Sequence, residues 1–254
     1  METAIVYIFF AIFGACIGSF INVVISRLPQ KGSFFRSRRS TCPTCGEVIR
    51  LYDLVPIISY LILLGKCRHC KARICPRYPL VEAAGSLFAV ACLFVFNLTL
   101  TALMVYIVTV ILLAVSVIDL NTKQIPNPLI IALIPPAIAS IWLLPDVTIL
   151  SHIIGLFSIA LPMLLITLIV KGAFGGGDIK LMAVCGFLLG WQFTLLAFFV
   201  ALLLGGSAAS FLLLTKRRNR KQHMVFGPAL CVGITTALFF GSHLINWYLS
   251  LFWF

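Results

Sequence analysis

Charged residues punctuate the chain and leave six uncharged stretches: residues 3–26, 83–118, 124–145, 147–170, 181–215 and 222–254. A polypeptide in hydrocarbon must satisfy its own backbone polar groups, so these stretches predict helices. One crossing takes about 20 residues, and the stretches 83–118 and 181–215 are too long for one. Each is interrupted near its middle, by Asn97, Leu98 and Thr99 in the first and by Gly190, Trp191 and Gln192 in the second. Splitting both predicts eight helices, near 4–25, 80–96, 100–118, 128–144, 148–170, 179–190, 193–214 and 228–249. The expected fold is an all-α, polytopic membrane helix bundle, with the sixth helix short for a span. No internal repeat, low-complexity tract or coiled-coil heptad is apparent.

Composition agrees with this pattern. Of 254 residues 61% are hydrophobic and only 10% charged, against roughly a quarter charged in soluble domains. A water-soluble domain is excluded. The formal net charge of +12 would elsewhere suggest nucleic-acid binding, but a mean hydropathy of +1.12 leaves too little polar surface for it.

The placement of charge is more informative than its total. Only Glu2 precedes the first apolar run and the basic residues follow it from Arg27. A secretory signal has the reverse order, so a retained helix with an outside N-terminus is expected. The inner segments are then 27–79, 119–127, 171–178 and 215–227. With the adjoining inner end of the sixth helix they hold eleven, one, two (Lys171, Lys180) and five Lys or Arg, which is all 19. The opposite side keeps only Glu2 and Asp146. The positive-inside rule is thus obeyed throughout.

Segment 27–79 is the one insert of different composition. Its apolar part, residues 51–64, is interrupted by Asp53 and Pro56 and too short to span, which predicts an interfacial or buried helix. It also carries Cys42, Cys45, Cys67 and Cys70, two Cys-x-x-Cys pairs with 21 residues between them. That spacing suits a tetrahedral four-thiolate zinc site; an iron–sulfur centre is the alternative. A cytosolic position disfavours disulfides. His69, inside the second pair, is expected to stay off the metal, and Cys75 is a possible substitute ligand. Cys16, Cys92, Cys185 and Cys231 fall in spans and read as small packing residues.

Acids near the bilayer are costly and mark functional candidates. Of seven, Glu2, Glu47, Asp53 and Asp146 fall in loops or at the chain start, and Glu82 opens the second helix. Asp119, ending the third helix, and Asp178, beginning the sixth, remain. Two spans separate them, so both are expected on the same side. Paired carboxyls suit hydrolysis, one taking a proton from water while the other, protonated, polarises a carbonyl and then protonates the leaving amine. Gly175, Gly176 and Gly177 precede Asp178 and leave room for an extended substrate backbone. Asn121 and the break at Ile125, Pro126, Asn127 and Pro128 follow Asp119. The structural alternative makes Asp178 a helix cap and Asp119 an anchor facing Lys123.

These residues together resemble a known family. The run Gly175 to Leu181 is similar to the GxGD motif of membrane aspartyl proteases, specifically the type IV prepilin peptidases. So are Ile118, Asp119 and Leu120 followed by Ile125, Pro126 and Asn127. Residues 18–24 with 27–29, 42–46, 56–61, 65–68, 77–82 and 226–228 follow the family's pattern in order. Val225, where the family usually has Pro, and Cys75 depart from it. The resemblance implies a first transmembrane helix at 1–26, a cytosolic four-cysteine zinc insert at 27–79 associated with methyl transfer, and a peptidase core at 80–254. It implies Asp119 and Asp178 as the catalytic pair and Cys42, Cys45, Cys67 and Cys70 as zinc ligands. It further implies removal of the basic leader of prepilin or pseudopilin precursors at the cytosolic face of a bacterial plasma membrane. N-methylation of the new N-terminus with S-adenosylmethionine is implied by the family alone.

A strongly positive face is an awkward partner for a basic leader. Anionic lipid headgroups are expected to absorb much of its charge, with substrate capture resting on the precursor's apolar helix. Glu47, Asp53 and Glu82 are candidates for contacting leader Lys or Arg, or for pairing with their own basic neighbours. Two rival readings stay open: a peptidase without methylation, and a non-enzymatic membrane scaffold or transporter with a zinc knuckle. A transporter would place its polar groups nearer the bilayer midplane.

Overall fold

A computed structural model of the chain describes residues 2–29, 39–170, 172–214 and 225–252. Lys31, Arg36, Arg38, Lys171 and the five basic residues of 216–221 lie outside them. The described residues are largely helical and contain no strand, only isolated bridges in the insert. They divide into two units, residues 1–106 and 107–254.

In the first unit α1 (Glu2–Arg27) and α3 (Arg77–Phe96) pack antiparallel along a seam of small residues. A Cβ at Gly14 would come within 2.5 Å of the Gly85 carbonyl, and one at Gly18 within 2.7 Å of the Glu82 Cα. Glycine there lets the two backbones touch, the usual device where apolar burial alone gives helices no reason to associate. At the insert end of the seam, Asn22 Nδ2 donates to the Tyr78 carbonyl at 3.0 Å. The insert holds a 3-10 turn at Leu51–Leu54 and the short α2 (Ile58–Ile62). None of the residues in either is buried, which removes the buried alternative for segment 51–64.

Helix α4 (Leu100–Thr122) carries the chain into the second unit. There follow α5 (Asn127–Ala132), α6 (Ile134–Leu143), α7 (Ile149–Ser158), α8 (Ala160–Ile169), α9 (Gly176–Leu189), α10 (Trp191–Leu214) and α11 (Gly227–Phe252). Two predicted helices are each broken in two, and proline explains both breaks. Pro135 and Pro136 deny amide protons to Ile131 and Ala132, where α5 ends; Pro162 does the same to Ser158, where α7 ends.

Among the described residues six helical stretches are long and apolar enough to cross a membrane, α7 and α8 together forming one of them (Ile149–Ile169). The other two predicted spans are helical but shorter: Asn127–Leu143 and the 14-residue α9. Helix α9 is tolerated because protein surrounds it. It packs against α5, α6, α7, α8, α10 and α11, and Leu181, Met182, Cys185 and Leu188 are wholly buried. Irregular or short elements at membrane depth persist where other protein satisfies them.

The far end of α9 is clamped. His152 of α7 hydrogen-bonds through Nδ1 to the Phe187 carbonyl at 2.5 Å, and Thr194 Oγ1 donates to the carbonyls of Gly190 and Gly186. The turn into α10 runs through Gly190 at φ +77°, where glycine alone is unstrained. A Cβ on Gly155 or on Gly186 would strike the other residue's carbonyl, so α7 and α9 touch backbone to backbone.

Candidate active site and metal centre

Asp119 sits in the last turn of α4 and is 5% exposed. Its Oδ2 accepts the backbone N–H of Gly227, the first residue of α11, at 3.1 Å. Such N–H groups have no partner within their own helix, and Pro228 beside it has none to give. A Cβ on Gly227 would collide with the Asp119 carboxylate. Lys123, which the structural alternative set facing Asp119, donates its backbone N–H to the Asp119 carbonyl at 2.8 Å.

Asp178 lies in the first turn of α9, half-buried, and its Oδ2 accepts the Gly175 N–H at 3.3 Å. The cap reading is therefore true of its geometry, though from inside the helix. The three glycines do different things. A Cβ on Gly175 would lie 3.0 Å from Asp178 Oδ2, one on Gly177 2.8 Å from the Ile125 Cβ, and one on Gly176 would meet open space. Only Gly176 leaves unfilled room of the kind the sequence suggested; Gly177 serves packing.

The start of α9 lies beside the start of α5, where Lys180 Nζ donates to Asn127 Oδ1 at 3.2 Å. The starts of α9 and α11 and the end of α4 bring Asp119 and Asp178 to one end of the second unit, close enough to interact electrostatically. Cys231, one turn into α11, is buried. Phe226 flanks the group, its ring 6.0 Å from Phe174 and 6.4 Å from Phe198. Such a carboxyl pair can hold one shared proton and serve as base and acid in turn. The Gly227 N–H belongs to this site and was not anticipated. Its only signal was the glycine of the Phe226, Gly227, Pro228 motif.

The first unit holds the cysteines. The sulfurs of Cys42, Cys45, Cys67 and Cys70 all lie within 4.8 Å of one another, with Cys42 and Cys70 Sγ 3.9 Å apart. Ideal tetrahedral thiolates around zinc, at about 2.3 Å each, stand roughly 3.8 Å apart. The donor set therefore fits a closed four-thiolate metal centre. Backbone N–H groups of Cys45 and Thr44 pull the Cys42 thiol down to about 6, toward the thiolate a metal needs. His69 and Cys75 are exposed and outside the cluster.

The insert also contains a repeat that the sequence reading overlooked. Cys42 donates its N–H to the Glu47 carbonyl and Ile49 to Ser40; 25 residues on, Cys67 donates to Ala72 and Ile74 to Gly65. Bridges pair Thr41 with Val48 and Lys66 with Arg73. The left-handed residue after each second cysteine is Gly46 at φ +73° in one copy and Lys71 at φ +58° in the other. In sequence the copies share only the cysteine pair and the isoleucine four residues after it, Ile49 and Ile74, so the repeat is clearest in the backbone.

Two further acids of this unit, Asp53 and Glu82, have partners in the insert. Asp53 takes a two-pronged contact from Arg68 at 2.7–3.1 Å, which holds its carboxyl below the usual carboxylate range. Glu82, buried in α3, accepts the Ile57 N–H through Oε2 at 2.8 Å. Glu47 is exposed.

Comparison with known proteins agrees with these features. Residues 12–96 match the bacterial peptidase A24 N-terminal domain, and residues 106–210 match the type IV leader peptidase family. A prepilin leader peptidase/N-methyltransferase of Bacillus subtilis is 33% identical over 94% of this chain and 96% of its own length. Proteins of the same name from Vibrio cholerae (35%, covering 76% and 81%) and Burkholderia pseudomallei (30%, covering 95% and 88%) are also similar. No solved structure matches. With likeness running almost end to end, and with the motif aspartates and cysteines grouped in space, the chain belongs to the type IV leader peptidase family.

Proposed function

We propose that this protein is a prepilin leader peptidase that hydrolyses the leader of prepilin-like or pseudopilin precursors with Asp119 and Asp178. The observation that carries the reading is that both carboxyls lie at one end of the second unit, close enough to interact electrostatically. The pair shares one proton. Its ionised member takes a proton from water, which attacks the scissile carbonyl; its protonated member hydrogen-bonds the carbonyl oxygen and then protonates the departing amine. Gly227 N–H orients Asp119, and Gly175 N–H orients Asp178.

Zinc at Cys42, Cys45, Cys67 and Cys70 is structural in this reading, because four thiolates close its coordination sphere. It would hold together a basic segment otherwise lacking a core, within the division 1–26, 27–79 and 80–254. The complete one-sided distribution of Lys and Arg supports an outside N-terminus, with the insert and the aspartates facing the cytosol of a bacterial plasma membrane.

Methylation of the new N-terminus, with S-adenosylmethionine as donor, is the second activity. Among the described residues no constellation marks a nucleoside site, so this part rests on the relatives' shared name. Co-expression with a prepilin-like precursor tests both. Leader removal should cease in Asp119→Ala and in Asp178→Ala, and undiminished removal by either rejects the pair. The mass of the mature N-terminus, with or without one added methyl, separates the bifunctional enzyme from a peptidase alone.

A further inference from the structure

Segment 51–64 of the insert shows an apolar face that no described residue of its own unit covers. Ile58, Leu61 and Ile62 are 56%, 65% and 70% exposed. Their spacing of three and four residues places them on one side of α2. Leu51 at 86% and Leu64 at 83%, at the two ends of the segment, are exposed as well. Contiguous apolar surface of this kind does not persist in water without a partner.

Its position identifies the partner. The buried Glu82 carboxylate holds the Ile57 N–H at 2.8 Å. Glu82 lies five residues into the membrane-length helix α3, about 7.5 Å along its axis. The start of α2 is therefore drawn down beside the first turns of a membrane-length helix instead of standing clear above it. Ile57 accepts a left-handed backbone (φ 61°) in that position.

Charge brackets the same segment in the sequence. Between residues 51 and 64 the only charged side chain is Asp53, already paired with Arg68. Arg50 and Lys66 stand immediately outside, with Lys71 and Arg73 beyond, all on the surface. An apolar face with a basic rim at the end of a membrane helix is the pattern of a segment lying in the bilayer interface, acyl chains against its apolar side and anionic headgroups against its rim.

We propose that segment 51–64 is inserted in the bilayer interface around α1 and α3, anchoring the cysteine insert to the membrane surface. This holds whether or not the aspartate pair is catalytic.

The full chain, reconstituted into phosphatidylcholine–phosphatidylglycerol vesicles, tests it with Leu61→Trp and separately Ile62→Trp, each read against the parent's four native tryptophans. Emission from the introduced indole should fall by at least half with lipids brominated in the upper acyl chain and respond little to aqueous acrylamide. Arg73→Trp should show the reverse. Quenching by acrylamide but not by bromolipid at both 61 and 62 overturns the proposal and leaves the face free for a protein partner. Should both variants fail to assemble, a carbene-generating lipid decides with the unsubstituted protein. Residues 51–64 should then be labelled several-fold more than 66–75, and equal or weaker labelling overturns the proposal.

Discussion

Gly227 hands its backbone N–H to the Asp119 carboxylate at 3.1 Å across 108 residues of chain. The contact joins the last turn of α4 to the first residue of α11, and no side chain can be added at 227 without striking the carboxylate. One glycine thus both supplies a donor and leaves the space the acid occupies.

Gly227→Ala should therefore cripple leader cleavage while the protein still assembles. Hydrogen bonds to charged groups are worth about 1.5–3 kcal/mol, so a loss of roughly 10- to 100-fold in kcat is expected. The measurement is cleavage of a purified precursor in detergent, with gel filtration as the folding control. Wild-type rates would remove Gly227 from the site.

The two aspartates should behave as a unit. Asp119→Asn and Asp178→Asn keep their shape and can still accept the glycine N–H groups, yet neither can take up a proton from water. Each single variant should abolish cleavage, and the double variant should be no worse than either. Multiplying losses in single-turnover assays would instead mean independent roles.

Metal content separates ligands from neighbours. The purified protein should carry one zinc per chain, and Cys70→Ser should lose most of it. Cys75→Ser and His69→Ala should retain it, since neither residue belongs to the cluster. Elemental analysis after dialysis reads all four proteins, and iron in place of zinc would show directly.

The clamp at the far end of α9 predicts a stability effect. His152→Leu leaves the half-buried Phe187 carbonyl without this donor, at a cost of about 1 kcal/mol. His152→Asn can restore a donor near the position of Nδ1 and should recover part of the loss. Thermal unfolding in detergent should rank wild type above Asn and Asn above Leu. Equal midpoints for Asn and Leu would exclude the hydrogen bond as the reason.

Much of the site was legible before any coordinates, for identifiable reasons. Asp119 and Asp178 stood out because acids are scarce near apolar runs, and Cys42, Cys45, Cys67 and Cys70 because metal ligands on one knuckle must be near neighbours in sequence. Asp53 and Glu82 show the limit. Both read either as contacts for a basic leader or as partners of basic neighbours; Arg68 engages the first, and the Ile57 backbone, which neither reading named, engages the second. Those partners lie 15 and 25 residues away, and nothing local announces them.

By itself the sequence determined which stretches are helical, that the chain enters a membrane, and which few residues can do chemistry. Those properties follow from local rules: apolar run length, breaks at proline and glycine, and the expense of charge in hydrocarbon. Only the tertiary structure decided that α9 survives as a 14-residue helix inside protein, that the cysteine insert repeats one backbone pattern, and that Gly227 completes the aspartate site. Each of these depends on groups far apart in the chain, where packing and hydrogen-bond geometry choose among partners that composition leaves equivalent.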